Sequence, residues 1–162
     1  MASKTFKTRI DIPEIKREKL IALTNQQLAD TFDLYSQTKQ AHWNVKGPQF
    51  IALHELFDDL AADIPGFVDL IAELTTVLGG YVMGTARMAG ANSRLPEFPT
   101  NISDGMKIVD ALASAFALVA ASTREAIDTA DKAGDPDTAD VFTEISRALD
   151  KSLWFLEAHL QA

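Results

Sequence analysis

Residues 49–78 read QFIALHELFDDLAADIPGFVDLIAELTTVL. Phe50, Leu53, Phe57, Leu60, Ile64, Phe67, Leu70 and Ile71 recur at the three- and four-residue intervals of a helix that buries one face, and Gly79-Gly80 closes the run. Four residues with metal-ligating side chains ride on this helix. With His54 at the origin of a helical wheel, Asp58 falls at ~40°, Asp69 at ~60° and Glu73 at ~100°, within about one helix face. They cannot share one ion, because about 22 Å of helical rise separates Asp58 from Glu73. One helix therefore carries two half-sites, His54 with Asp58 and Asp69 with Glu73, each an i,i+4 pair.

A second, antiparallel copy of the helix closes both. For a two-fold axis between Asp63 and Ile64, residue n faces residue 127 − n, so His54 faces the partner's Glu73 and Asp58 faces the partner's Asp69. His42, one short turn before the helix, adds a further nitrogen to the His54 end. Imidazole with carboxylate suits Fe(II), Mn(II) or Zn(II) better than Mg(II) or Ca(II). Pro65-Gly66 lies almost on the axis; a proline inside a helix usually kinks it, while a glycine lets two helices approach closely.

Outward from this segment, the spacing of Leu20, Leu23, Leu28, Phe32 and Tyr35 predicts a helix over Glu18–Asn44, stopped by Gly47-Pro48. Beyond Gly80 a short helical connection is expected around Val82–Met88, followed by an extended loop at Leu95-Pro96-Glu97-Phe98-Pro99. Ser103 is the expected N-cap of a helix running to about Lys132. Gly134-Asp135-Pro136 reads as C-cap, N-cap and first helical residue, opening a last helix over about Asp137–Leu160. No segment alternates like a strand. The expected class is all-α: a four-helix bundle with a long crossover, carrying a short helix, between its second and third long helices.

The 162 residues fit one domain, divided here into a basic N-terminal arm, 1–17, and a bundle, 18–162. Without cysteine there is no disulfide, thiolate zinc site or cysteine nucleophile. A net charge of −8 attracts cations and repels nucleic acid. Lys4, Lys7, Arg9, Lys16, Arg17 and Lys19 run against that trend; they are either a solvated terminus or a weak contact for DNA phosphate. Met1 to Arg9 holds no apolar signal core, and the apolar stretch Ala111–Ala121 is too short to span a bilayer, so a cytoplasmic protein, nucleoid-associated if the arm meets DNA, is expected.

The run Lys39-Gln40-Ala41-His42-Trp43-Asn44-Val45-Lys46-Gly47-Pro48-Gln49-Phe50, followed by His54-Glu55-Leu56-Phe57-Asp58, resembles the Dps (DNA protection during starvation) family. Val68-Asp69-Leu70-Ile71-Ala72-Glu73, Leu78-Gly79-Gly80 and Asp150-Lys151-Ser152-Leu153-Trp154-Phe155-Leu156-Glu157-Ala158-His159 continue the match over nearly the whole chain. The resemblance implies a ferritin-like four-helix bundle assembled as a hollow dodecamer. It implies a ferroxidase centre at the dimer interface, with His42, His54 and Asp58 of one subunit opposite Asp69 and Glu73 of the other. The reaction implied is oxidation of Fe(II), preferably by hydrogen peroxide, with ferric mineral stored inside and DNA thereby protected; zinc or manganese fits the same donors. Trp43 resembles the family's aromatic neighbour of the iron, a packing residue or an electron donor. Leu74 stands where the family often has arginine, and Pro65-Gly66 is unusual for this helix.

Weaker candidates surround this set. Glu55, Asp59 and Asp63 are either a solvated face or a surface that nucleates mineral. Of the acidic residues around the last interhelical turn, Asp128, Asp135 and Asp137 would line a three-fold pore by resemblance, although capping accounts for some of them. Trp154 is expected in the core or at a subunit contact and His159 at the surface. A di-iron site inside each bundle needs Glu-x-x-His motifs, and none occurs; Glu157-Ala158-His159 has the wrong spacing. The residues also admit a DNA-compacting protein with minor catalysis, carried by the basic arm, or a helical bundle with no metal role.

Overall fold

The structure, a computed structural model, describes residues 4–161. Its elements are α1 (Glu14–Asn44), α2 (Phe50–Val77), α3 (Ala86–Asn92), α4 (Gly105–Ala133) and α5 (Pro136–Glu157). The described residues form no strand, only two isolated bridges. Short corners pair α1 with α2 and α4 with α5, and α4 packs on α1 to join the two hairpins. The segment from Leu78 to Asp104 is the long crossover, and α3 lies on it. Phe57, Phe116 and Phe142, all fully buried, belong to one core with Leu34, Ile64 and Ile108.

The stops fall where the backbone requires them. Gly47 (φ 114°) turns the chain out of α1, and Gly134 (φ 79°) ends α4 in the left-handed region. Asp135 then accepts from the Asp137 and Thr138 amides, with Pro136 opening α5. α2 runs as one helix through Pro65, so the phase linking its two ends is kept. As a helix, α4 is long and apolar enough to cross a membrane by length and composition, unlike the shorter apolar stretch read from sequence. Its apolar side instead forms bundle core: Ile108, Val109, Leu112, Phe116 and Val119 are all buried.

Several boundaries differ from expectation. α1 begins at Glu14, so Lys16 and Arg17 belong to the helix rather than to a free arm. Arg17 is buried, and its guanidinium donates to Leu78 O (2.9 Å) and Ile12 O (3.1 Å), two carbonyls the sequence does not advertise. The rest of the arm also docks: Phe6 N donates to Gly79 O at 2.7 Å and Thr5 bridges Gly80, with Lys4, Lys7 and Arg9 exposed. Residues 1–3 of the arm and residue 162 lie outside the described residues. α3 starts later than expected because Thr85 caps it, accepting from Met88 N. Asp104, not Ser103, caps α4, since the carboxylate faces Lys107 N while Ser103 offers its carbonyl to Lys46 N. α5 ends at Glu157, short of Leu160.

Candidate metal centre

The last turn of α1 and the first turns of α2 bring three of the predicted donors together. The His42 and His54 rings stack with centroids 3.8 Å apart and 20° between planes. Each ring bonds the other's backbone: His42 Nδ1 lies 2.8 Å from His54 O, and His54 Nδ1 lies 2.9 Å from His42 O. A carbonyl oxygen only accepts, so both Nδ1 atoms carry the proton, and both Nε2 lone pairs are left for a cation. The His42 carbonyl is available because it sits at a helix end. Lys46 N, which a continuing helix would turn toward it, bonds Ser103 O at 2.8 Å instead.

Asp58 lies beside the pair, its Oδ1 3.9 Å from His42 Nε2 and 2.6 Å from Lys39 Nζ. The hydrogen bond from Lys39 holds the Asp58 carboxyl below its ordinary value, opposed by desolvation and helped by the Lys39 charge and, whenever they are protonated, by the two imidazoles. An incoming cation must displace or share with that ammonium. Phe50 tilts against His54 with centroids 5.1 Å apart. Trp43 is 66% exposed beneath the Lys39 ammonium, so it is no core residue of this chain.

Asp69 and Glu73 lie further along α2. Both are exposed, and neither side chain has a hydrogen bond or ion pair among the described residues. No group of three histidine, aspartate or glutamate side chains of the single chain is placed to hold an ion among the described residues. Glu55, Asp59, Asp63, Asp128 and Asp137 are exposed. Asp135 is only 4% exposed, and Thr138 and Asp137 occupy its carboxylate, so in this chain it is a cap rather than an open pore wall. Trp154 is 60% exposed, which leaves the core reading of it unsupported; His159 is at the surface.

Among the described residues the bundle interior offers no competing site. Its buried carboxylates are Asp30 and Asp135. Arg94 clamps Asp30 through Nε (2.9 Å), Nη2 and its amide (2.8 Å), and Asp135 caps α5. Two partners at the α1–α2 corner escape a reading of the sequence. Lys39 can be found in retrospect, three residues before His42 and hence on the same face of α1; the reciprocal carbonyls leave no signal in side-chain identity.

The ferritin-like domain model matches residues 21–162. A DNA protection during starvation protein of Agrobacterium fabrum is 48% identical over 158 residues, covering 98% of each chain. The chain belongs to the Dps family of ferritin-like proteins. A second family member, from Brevibacillus brevis, is 33% identical over 145 residues, with 89% of this chain and 97% of the relative covered. Among solved structures, DpsA14 from Streptomyces coelicolor superposes with a TM-score of 0.94 at 30% identity, covering 100% of this chain and 96% of that one. The DPS protein from Vibrio cholerae O1, described as a member of a broad superfamily of ferritin-like diiron-carboxylate proteins, gives 0.88 at 25% identity over 99% and 98% of the two chains. Membership of a ferritin-like family implies iron binding.

Proposed function

We propose that this chain is a ferroxidase subunit that oxidises Fe(II) at sites shared by two copies and stores the ferric product in a hollow dodecamer. One observation carries the reading: two imidazoles held through their Nδ1 atoms beside Asp58 at one end of α2, and two carboxylates with no hydrogen bond or ion pair among the described residues at the other. Under the two-fold relation, the second set arrives from the partner. His42, His54 and Asp58 bind and orient Fe(II), while the partner's Asp69 and Glu73 neutralise the charge that grows on oxidation. Hydrogen peroxide is the preferred oxidant. Two Fe(II) ions give one electron each, the O–O bond takes the pair and breaks, and ferric oxyhydroxide forms with release of protons. Zinc or manganese would occupy the same donors without turnover. Trp43, exposed and next to His42 in the chain, is the candidate electron donor. Glu55, Asp59 and Asp63 are candidates for mineral nucleation and Asp128 and Asp137 for the iron entry path. A role in protecting DNA follows from removing Fe(II) and peroxide together. Direct DNA contact is weak on this reading, because the arm between Lys4 and Arg17 is bonded to the end of α2.

The test is stopped-flow oxidation of Fe(II) with peroxide and with oxygen, alongside an anaerobic Fe(II) titration and native mass spectrometry. Saturable binding, faster turnover with peroxide and a twelve-chain mass are expected. Normal oxidation by a His42→Ala, His54→Ala variant would overturn the reading.

A further inference from the structure

The imidazole pair is held by more than its own two hydrogen bonds, because the corner between α1 and α2 rests on the start of α4. Lys46 N donates to Ser103 O, and Lys46 bridges Asp104, the α4 cap. Gly105 follows and is buried. Its φ is not positive, so glycine is not needed there for backbone freedom. It is needed for space. A Cβ at Gly105 would lie 2.7 Å from Leu53 Cδ1, 3.8 Å from Gln49 Oε1 and 3.9 Å from Lys46 O, three residues of the same corner. Leu53 is 1% exposed and directly precedes His54, so it cannot turn aside without disturbing its neighbours.

We infer that Gly105 is a positioning residue for the metal centre: the absence of its side chain lets α4 seat the α1–α2 corner so that His42 and His54 lock each other's tautomer. The inference rests on His42 and His54 being metal donors. A methyl at residue 105 displaces Leu53 and with it His54. The Nδ1–H to carbonyl bonds then lengthen, and the rings drift toward the Nε2–H tautomer, which puts a proton on the donor atom.

Histidine-labelled, metal-free protein reports this by solid-state 15N spectroscopy, since the chain has only three histidines. In the wild type, His42 and His54 are expected as pure Nδ1–H tautomers. Gly105→Ala should mix the tautomers and weaken Co(II) binding about tenfold, as lost support around a metal ligand does. Gly105→Ala with Leu53→Ala should restore both. Gly90→Ala, at a glycine with open space, should change neither. Leu149→Ala removes an equally buried side chain on α5 and separates positioning from stability: it should lower the melting temperature and leave the tautomers alone. If Gly105→Ala does not fold, Leu53→Phe crowds the same contact from the α2 side and is expected to mix the tautomers. Unchanged imidazole signals in a folded Gly105→Ala protein, or in Leu53→Phe, overturn the inference. Tautomers that respond in a wild-type background that binds no Co(II) support the brace and overturn the ligand reading instead.

Discussion

The two ends of α2 are organised in different ways. At its N-terminal end the side chains are fixed: His54 is stacked and hydrogen-bonded, and Asp58 is tied to Lys39. At its C-terminal end Asp69 and Glu73 hang free of any partner among the described residues, and it is the backbone that is fixed. Arg17 and Phe6 bind the Leu78 and Gly79 carbonyls, and Gly80 packs against Ile21 so closely that a Cβ would fall within 2.7 Å. The chemistry of the proposed donors would account for the contrast. An imidazole has one lone pair on a rigid ring, so its orientation must be set in advance. A carboxylate offers several lone pairs on a rotatable stem and needs only to be delivered to the right place.

The largest effect should come from breaking each end separately and then mixing. His42→Ala with His54→Ala is expected to lower Fe(II) affinity at least about 100-fold, because the fixed donors are gone. Asp69→Asn with Glu73→Gln should leave weak binding at the histidine end and remove most turnover. If the two ends meet across a two-fold axis, dissociating and reassembling equal amounts of the two inactive proteins restores about a quarter of the wild-type sites, since mixed dimers each carry one intact site. Oxidation assays on the remixed sample give the answer. No recovery from properly mixed assemblies would show that the ends do not complete one another.

The phase of α2 is readable from residue spacing because the helix persists through Pro65; a π-bulge there would shift Asp69 and Glu73 off the face of His54. The long helices are equally legible, since their apolar stripes and the Gly134-Asp135-Pro136 corner are local features. Contacts between distant segments are not. Arg17 reads in sequence as one of several arm cations, yet Leu78 O, sixty-one positions away, makes it a buried bolt. The cap role of Asp135 is legible, but its burial is not, because that depends on how α4 and α5 close together. Gly105 carries no message in sequence, as the side chain it avoids belongs to another helix.

An intermediate effect is expected midway between the two ends. A Cβ at Gly66 meets nothing within 4 Å in the single chain. Gly66→Ala should therefore leave chain stability unchanged or raise it by up to about 1 kcal/mol through helix propensity. The same methyl sits close to the proposed axis, where the partner helix would have to make room at a cost of about 1–3 kcal/mol. Thermal unfolding at high and low protein concentration separates the two contributions. Dimer association unaffected by Gly66→Ala, or by the larger Gly66→Leu, would place the interface elsewhere. Gly80→Ala makes the contrast: it should destabilise the chain itself, by about 1–3 kcal/mol, because Ile21 and the Thr75 carbonyl already fill the space.

The smallest effect concerns Lys39, the cation of the histidine cluster. Lys39 bonds Asp58 at 2.6 Å, but Asp58 is 59% exposed, so water and salt screen the pair. Lys39→Ala should raise the affinity of the N-terminal half-site for a divalent cation only about twofold to fivefold, the range expected for an exposed ion pair. The pH dependence gives the sign. With Lys39 present the Asp58 carboxyl is held low, so its attraction to the ammonium is complete above the ordinary aspartate range and fades as pH falls through the depressed value. Removing Lys39 takes away the first cause of that depression, and the titration of Asp58, followed by carboxyl 13C shifts in metal-free protein, should move up toward an ordinary aspartate. An Asp58 that titrates identically without Lys39 would mean that the imidazoles alone set its charge. The N-terminal end of α2 would then be tuned by the same two rings proposed to bind the metal, with no separate gatekeeper.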